Sequence, residues 1–171
     1  MNRPMALCVV ALAALTFACA GARAHRRPHP LVGTPLALVV PDLDGRDVDI
    51  AAIGGTVRVV DFWATWCEPC KEAMPGLDRI ERELGPRGLA VFGVSVDEDR
   101  SLIVDYLRER PVGFRILWDR GAQRLTRLGM SFMPVTLLVD RRGVIRHVHQ
   151  GWAEGRGRQE REELEALVAE P

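Results

Sequence analysis

Trp66-Cys67-Glu68-Pro69-Cys70 follows directly on Val57-Arg58-Val59-Val60-Asp61-Phe62-Trp63-Ala64, and no other stretch restricts the fold as tightly. The β-branched run reads as a buried strand, and the two cysteines open the helix after it. Residues three apart on a helix share a face, with Cβ atoms about 5–6 Å apart. One turn can therefore hold a disulfide or two thiols with little backbone movement. Cys67 is expected at the helix N-terminus, where free N–H groups and the positive end of the dipole favour a thiolate. Cys70, one turn in, is expected to be more buried and to stay protonated. Strand, Trp, C-x-x-C and helix in this order read as an exchanging dithiol. A zinc half-site would need a second Cys or His pair at ligand spacing, whereas His147 and His149 stand i, i+2 in a predicted strand far downstream. A structural disulfide closing four residues would constrain the unfolded chain very little.

The 171 residues allow one domain with a full core plus a processed N-terminus. Positive and negative side chains number 23 each, and no basic stripe interleaved with aromatics points to nucleic acid. Lys71 is the only lysine, which reads as codon composition. Arg3 precedes an apolar run from Met5 to Ala20, and Ala22-Arg23-Ala24 offers small residues where a signal peptidase reads. The run is short of the roughly 20 residues of a membrane span. Residues 1–24 are therefore read as a signal peptide cleaved near Ala24, giving an extracytoplasmic, periplasmic protein. A lipidated Cys19 and an uncleaved anchor are the competing outcomes. Thr16-Phe17-Ala18 lacks the Leu expected three positions before a lipidated cysteine and places Phe17 where a small residue is preferred. With Cys8 in the apolar run and Cys19 removed or lipidated, Cys67 and Cys70 are the mature pair. In an oxidising compartment, a single pair at this spacing fits exchange better than stapling.

Residues 25–34, with Pro28 and Pro30, read as a linker, and residues 35–171 as the domain. Pro35 to Val40 reads as an edge strand ended by Pro41, Asp42 to Arg46 as a turn, and Asp47 to Ile50 as a short strand. The helix from Cys67 is predicted to bury Ala73, Leu77, Ile80 and Leu84, to kink at Pro75 and to stop at Gly85-Pro86. Leu89 to Val96 is a continuous apolar strand suited to a parallel sheet covered on both faces. Further helices are predicted over Ser101 to Glu109, Ala122 to Leu128 and Gln159 to Ala169, and strands over Phe114 to Trp118, Val135 to Val139 and Val144 to His149. The charged residues of the last helix are expected to form a solvated face. Strands alternating with helices, closed by a hairpin and a helix, argue a mixed sheet in an α/β sandwich.

From Leu31 onward the chain resembles the thioredoxin-fold thiol–disulfide oxidoreductases of the TlpA/ResA type. The matching stretches are Pro41 to Gly45, Asp61 to Cys70, Gly93-Val94-Ser95-Val96-Asp97, and Met133-Pro134-Val135-Thr136 before Asp140. The resemblance implies a thioredoxin-like three-layer α/β/α sandwich, with a central helix-and-strand insertion over Leu89 to Trp118. It also implies that Pro134 is cis and faces the disulfide. One departure is informative. These relatives usually carry an acid three residues beyond the second cysteine and Asn at the position of Asp61. Here Ala73 stands downstream and the acid is Asp61, as in thioredoxin itself. A buried carboxylate beneath the cysteines can take the proton of the resolving thiol, with its own pKa raised by desolvation. The plainer alternative makes Asp61 a strand-end residue paired to a backbone N–H.

The expected chemistry starts with attack of Cys67 on a substrate disulfide, after which Cys70, aided by Asp61, resolves the mixed disulfide. Trp66 supplies apolar contact area, and the backbone of Met133 beside Pro134 can pair with an extended substrate strand. Glu68, with Pro69 between the cysteines, tunes the pair, since its negative charge raises the Cys67 pKa somewhat. The resemblance implies reduction of disulfides in exported proteins, apocytochrome c among them, with a membrane thiol relay as donor. The chain is expected to act as a monomer without metal or cofactor. An exported disulfide oxidase competes with this reading, because about 30 mV, or 1.4 kcal/mol, shifts the direction. A peroxidase would carry Pro and Thr where Val60 and Ala64 stand, and a copper-delivery module would need C-x-x-x-C. A purely partner-binding domain fits a motif that has lost a cysteine, and this one keeps both.

Overall fold

The structure is a computed structural model and describes residues 28–151, 153 and 155–171. The expected leader over residues 1–24 and the first residues of the linker lie outside the described residues. Its centre is β3 (Val57–Trp63), whose seven residues are all buried. On one side β4 (Leu89–Ser95) runs parallel to β3, and β5 (Arg115–Trp118) parallel to β4. On the other, β6 (Val135–Val139) and β7 (Ile145–Gln150) continue antiparallel, giving the order β5-β4-β3-β6-β7. This is the expected mixed sheet. Val, Ile, Leu and Phe fill β3, β4 and β6 without alternation because helices or loops cover both faces.

Four helices accompany the sheet: α1 (Glu68–Leu84), α2 (Arg100–Glu109), α3 (Gln123–Arg127) and α4 (Arg156–Ala169). Side chains alternate along β3. Asp61 points to the face that carries α1 and α4, where it lines a cavity with Pro69, Leu77 and Glu160. Arg58 points the other way and is 1% exposed. Its guanidinium donates to the carbonyls of Thr56, Ile50, Ala51 and Asp140 at 2.7–3.1 Å. A buried cation without a carboxylate partner is tolerable only when dipoles of this kind surround it. The carbonyls of Ile50 and Ala51 follow the small hairpin β1–β2 (Val39–Pro41 and Asp47–Asp49), that of Asp140 opens the β6–β7 turn and that of Thr56 precedes β3, so Arg58 ties the second face together.

Three details differ from the sequence expectation. The first strand is shorter and lies later, at Val39–Pro41, and includes the proline. It pairs with Asp47–Asp49 in a separate two-stranded sheet, while Pro35 makes an isolated bridge to Val144. An edge position tolerates the missing proline N–H. In α1 the buried stripe is Cys70, Met74, Leu77, Ile80 and Leu84, so Met74 takes the place expected for Ala73. The stripe starts from the buried cysteine and steps by four and three, leaving Ala73 half-buried at the cavity. Pro75 is exposed inside α1, which runs through it as one 17-residue element. Third, α4 begins at Arg156 and buries Glu160 along with Leu164, Leu167 and Val168, so its charged residues do not all form a solvated face. Near the other end of the chain, Gly33 N–H donates to the Ile145 carbonyl and Ile145 N–H to that of Thr34.

Gly93 sits opposite Asp61 in the β3–β4 register. A Cβ there would come within 2.8 Å of the Phe114 ring, 2.9 Å of Ile116 Cδ1 and 3.3 Å of Trp63 Nε1. Trp63 is fully buried and packs on Tyr106 of α2 at 5.2 Å, which leaves it little room to move aside. Gly93→Ala should therefore destabilise the domain by about 1–3 kcal/mol through overpacking, read as a lower urea midpoint with an unchanged slope.

Candidate active site

The turn that delivers the cysteines is fixed from the adjacent strand. The Asp97 carboxylate, 1% exposed, accepts from Thr65 N–H (3.0 Å), the Thr65 hydroxyl (2.7 Å) and the Ser95 hydroxyl (2.7 Å). The indole N–H of Trp118 donates to the Asp97 carbonyl at 2.7 Å. This locks Thr65, two residues before Cys67, onto the end of β4. Cys67 then caps α1 in extended backbone (φ −90°, ψ 97°), and no side chain takes up the first N–H groups of the helix. Those groups and the dipole are left to act on its sulfur.

Cys67 and Cys70 are joined in a disulfide with a Cα–Cα distance of 5.3 Å. Cys67 keeps 6% exposure and Cys70 none, so the outer sulfur belongs to the helix start, as the spacing predicts. Two aromatic side chains stand out: Trp66, 69% exposed, next to Cys67 in the chain, and Phe132, 72% exposed, just before Met133-Pro134. The Met133–Pro134 peptide is cis. Pro134 is buried and its carbonyl accepts from Gly151 N–H at 2.8 Å, while Met133 is half-buried. Glu68 is exposed, and Lys71 Nζ sits 2.6 Å from its carboxylate. The negative charge placed between the cysteines is thus met by the single lysine of the chain, one turn on. Pro69 is half-buried and faces the cavity that also contains Asp61.

Asp61 is 2% exposed and lies inside β3, not at its end. Its Oδ1 accepts from the hydroxyl of Thr136, its antiparallel partner on β6, at 2.9 Å. The partner is a side chain, so the plainer backbone-cap reading does not hold. Burial pushes the Asp61 carboxyl up to about 8, with the Glu160 charge adding to the rise and the Thr136 bond and Arg156 opposing it. The cavity has a volume of about 450 Å³ and reaches from Pro69 and Pro134 to Glu160 and Arg156 on α4. Thr136 and Glu160 were not singled out from sequence. Thr136 lay within a recognised stretch, but its pairing with Asp61 is a matter of strand register. Phe132 carried no periodic signal. His147 and His149 stack at 6.2 Å and meet Glu163 at 3.4 and 2.6 Å. Among the described residues no set of three His, Cys, Asp or Glu side chains is placed to hold a metal ion.

A putative thiol:disulfide interchange protein DsbE from Chlorobium tepidum superposes with a TM-score of 0.74 at 24% identity, covering 79% of this chain and 95% of that one. StoA from Bacillus subtilis gives 0.61 at 19%, over 76% and 97%. In sequence, the thiol-disulfide oxidoreductase ResA of Bacillus thuringiensis subsp. konkukian is 26% identical over 131 residues, 76% of this chain and 72% of the relative. ResA of Bacillus subtilis strain 168 is 26% identical over 113 residues, 66% and 63%. A mixed sheet with a cysteine pair at the start of its first long helix and a cis-proline just before β6 defines, with these relatives, a thioredoxin-fold thiol–disulfide oxidoreductase. Within that class the chain belongs to the AhpC/TSA family, whose model matches residues 33–148.

The Asp61 proton gives a signed expectation for stability. The native carboxyl holds its proton up to about pH 8, whereas an unfolded aspartate loses it near 4. Between those limits the folded state binds more protons, so stability falls as pH rises and levels off above. Asp61→Asn should abolish this slope and stabilise the oxidised protein at pH 8 by an amount on the order of 2–4 kcal/mol relative to its gain at pH 5. Denaturant titrations of both proteins at several pH values measure it, and parallel curves for the two would contradict the raised proton affinity.

Proposed function

We propose that the protein reduces disulfides of exported proteins, using Cys67 as the attacking thiol and Cys70 as the resolving one. The difference in burial between the two cysteines supports this reading: Cys67, at the helix start, keeps 6% exposure and is the one a substrate sulfur can approach, whereas Cys70 keeps none. The Cys67 thiolate attacks one sulfur of the substrate disulfide, forming a mixed disulfide and expelling the other sulfur as a thiolate. Cys70 then loses its proton to the Asp61 carboxylate and attacks the Cys67 sulfur. The bond to the substrate breaks, the substrate leaves as a second thiolate, and two electrons have passed from the dithiol. A carboxyl whose pKa lies near the working pH is well placed to accept and return that proton. Trp66 and the Met133–Pro134 loop receive the substrate as an extended strand, and among the described residues no backbone group bonds to Met133. The Lys71 pair offsets the effect of Glu68 on Cys67, and Pro69 shapes the wall toward Asp61.

The remaining parts of this reading rest on the N-terminal sequence and on the resemblance. Residues 1–24 direct export to the periplasm, residues 25–34 form a linker whose end docks on β7 through Gly33 and Thr34, and residues 35–171 form the working domain, a monomer without metal, cofactor or nucleic acid. Apocytochrome c is the substrate class that the resemblance to the TlpA/ResA type implies, with a membrane thiol relay returning electrons to the dithiol. No helix among the described residues is long and apolar enough to cross a membrane. N-terminal sequencing of the protein from cells should begin at His25. An acylated Cys19 or an intact Met1 in the membrane fraction would replace this with a lipoprotein or an anchor.

Trapping separates the two thiols. With an oxidised peptide substrate, Cys70→Ala should accumulate a stable mixed disulfide and Cys67→Ala should not. Iodoacetamide should modify Cys67 faster than Cys70 at neutral pH, with a midpoint below the free value of about 8.5. Faster modification of Cys70 would reverse the roles. A reduction potential close to that of strong oxidants, with dithiol substrates turned over faster than disulfides, would make the protein an oxidase.

A further inference from the structure

Buried carboxylates are scarce because an unpaired one costs several kcal/mol, and the face of the sheet beneath the dithiol holds two. The second is Glu160, in the first half of α4, 6% exposed. It lines the same cavity as Asp61, Pro69, Pro134 and Thr136. Its Oε1 is fully buried and, among the described residues, has no hydrogen-bond partner. Packing gives no reason for an acid here: Leu164, Leu167 and Val168 supply the apolar contacts of α4. A Gln or Leu would fill the position at lower cost.

We propose that Glu160 is a positioning residue of the thiol chemistry, acting through Asp61 as the second carboxyl of a pair that faces the cavity behind the dithiol. The proposal rests on Asp61 being the proton acceptor. Thr136 lines the cavity with both acids, and its hydroxyl donates to Asp61. The groups facing Glu160 come from each neighbouring element. Burial raises its proton affinity, and the Glu163 charge adds to this. His149 on β7 and Arg156 on α4 work against it. Glu72 and Arg79 of α1 and Arg161 of α4 line the cavity. Like charges this close cannot both be carried cheaply, so a negative Glu160 makes Asp61 a stronger proton acceptor than burial alone would. When the Cys70 S–H bond breaks, its proton forms an O–H bond on Asp61. Glu160 takes no electrons and bonds to neither sulfur.

The test is the pH profile of the resolving step, followed by tryptophan fluorescence in the wild-type chain, Glu160→Gln and Asp61→Asn. Glu160→Gln should move the inflection down by about 0.5–1 pH unit while keeping its shape, as loss of a neighbouring like charge requires. Asp61→Asn should lose the inflection altogether. A Glu160→Gln profile that superimposes on wild type, or is scaled equally at every pH, overturns the role of Glu160 and leaves Asp61 intact. An inflection that survives in Asp61→Asn removes the acceptor itself and the proposal with it. Should Glu160→Gln fail to fold, carboxyl carbon NMR of the labelled wild-type chain decides. Two-step titration of Asp61 and Glu160, each reporting the other, is expected, and independent single-step curves overturn the pair.

Discussion

Everything near the dithiol is arranged around one unfavourable placement: a carboxyl group inside the central, fully buried strand. β3 has strands on both edges and layers on both faces, so Asp61 cannot turn to solvent. Its charge can be met only by what the neighbouring strands and helices offer, and they offer little. One hydroxyl, from Thr136, is a hydrogen bond to a carboxylate without a counter-charge. The protein thus keeps a group that is easier to protonate than to ionise on the strand that leads into the helix start carrying Cys67.

The rest of the architecture can be understood as holding that group in place. Asp97 fixes the approach to Cys67 through Thr65 while Ser95 and Trp118 hold Asp97. Arg58, three residues before Asp61 on the same strand, anchors the opposite face through backbone carbonyls alone. Gly93 leaves room for Trp63 beside it. Each of these is a local device that removes freedom from β3 or its neighbours, and none adds charge to the face that contains Asp61.

What was legible in the sequence follows from what periodicity can carry. The strand before the cysteines, the apolar run at Leu89 and the strand at Val135 are continuous or β-branched, and each stands where expected. The dithiol, the cis Met133–Pro134 bond and the burial of Asp61 were expected too, the second from the resemblance alone. The phase of α1 was off by one because Cys70 acts as a buried apolar residue and pulls Met74 into the stripe in place of Ala73. Glu160 was hidden for a more general reason. An acid amid Arg and Glu on an amphipathic helix reads as surface, and only the packing of α4 on α1 and β3 turns that position inward. The pairing of Asp61 with Thr136 depends on register across residues 75 apart in the chain, which no local pattern records.

The bond between Glu68 and Lys71 has a practical side. Apart from the α-amino group, Lys71 is the only primary amine in this chain, and it stands one position past the second cysteine, tethered across a single turn. Amine-directed dyes, crosslinkers and resins therefore address the molecule at its reactive end and nowhere else on its folded surface. A label there doubles as a probe of the thiol state, and a support coupled there blocks the face a partner must reach. The arginine-only remainder of the surface makes the active site its own handle.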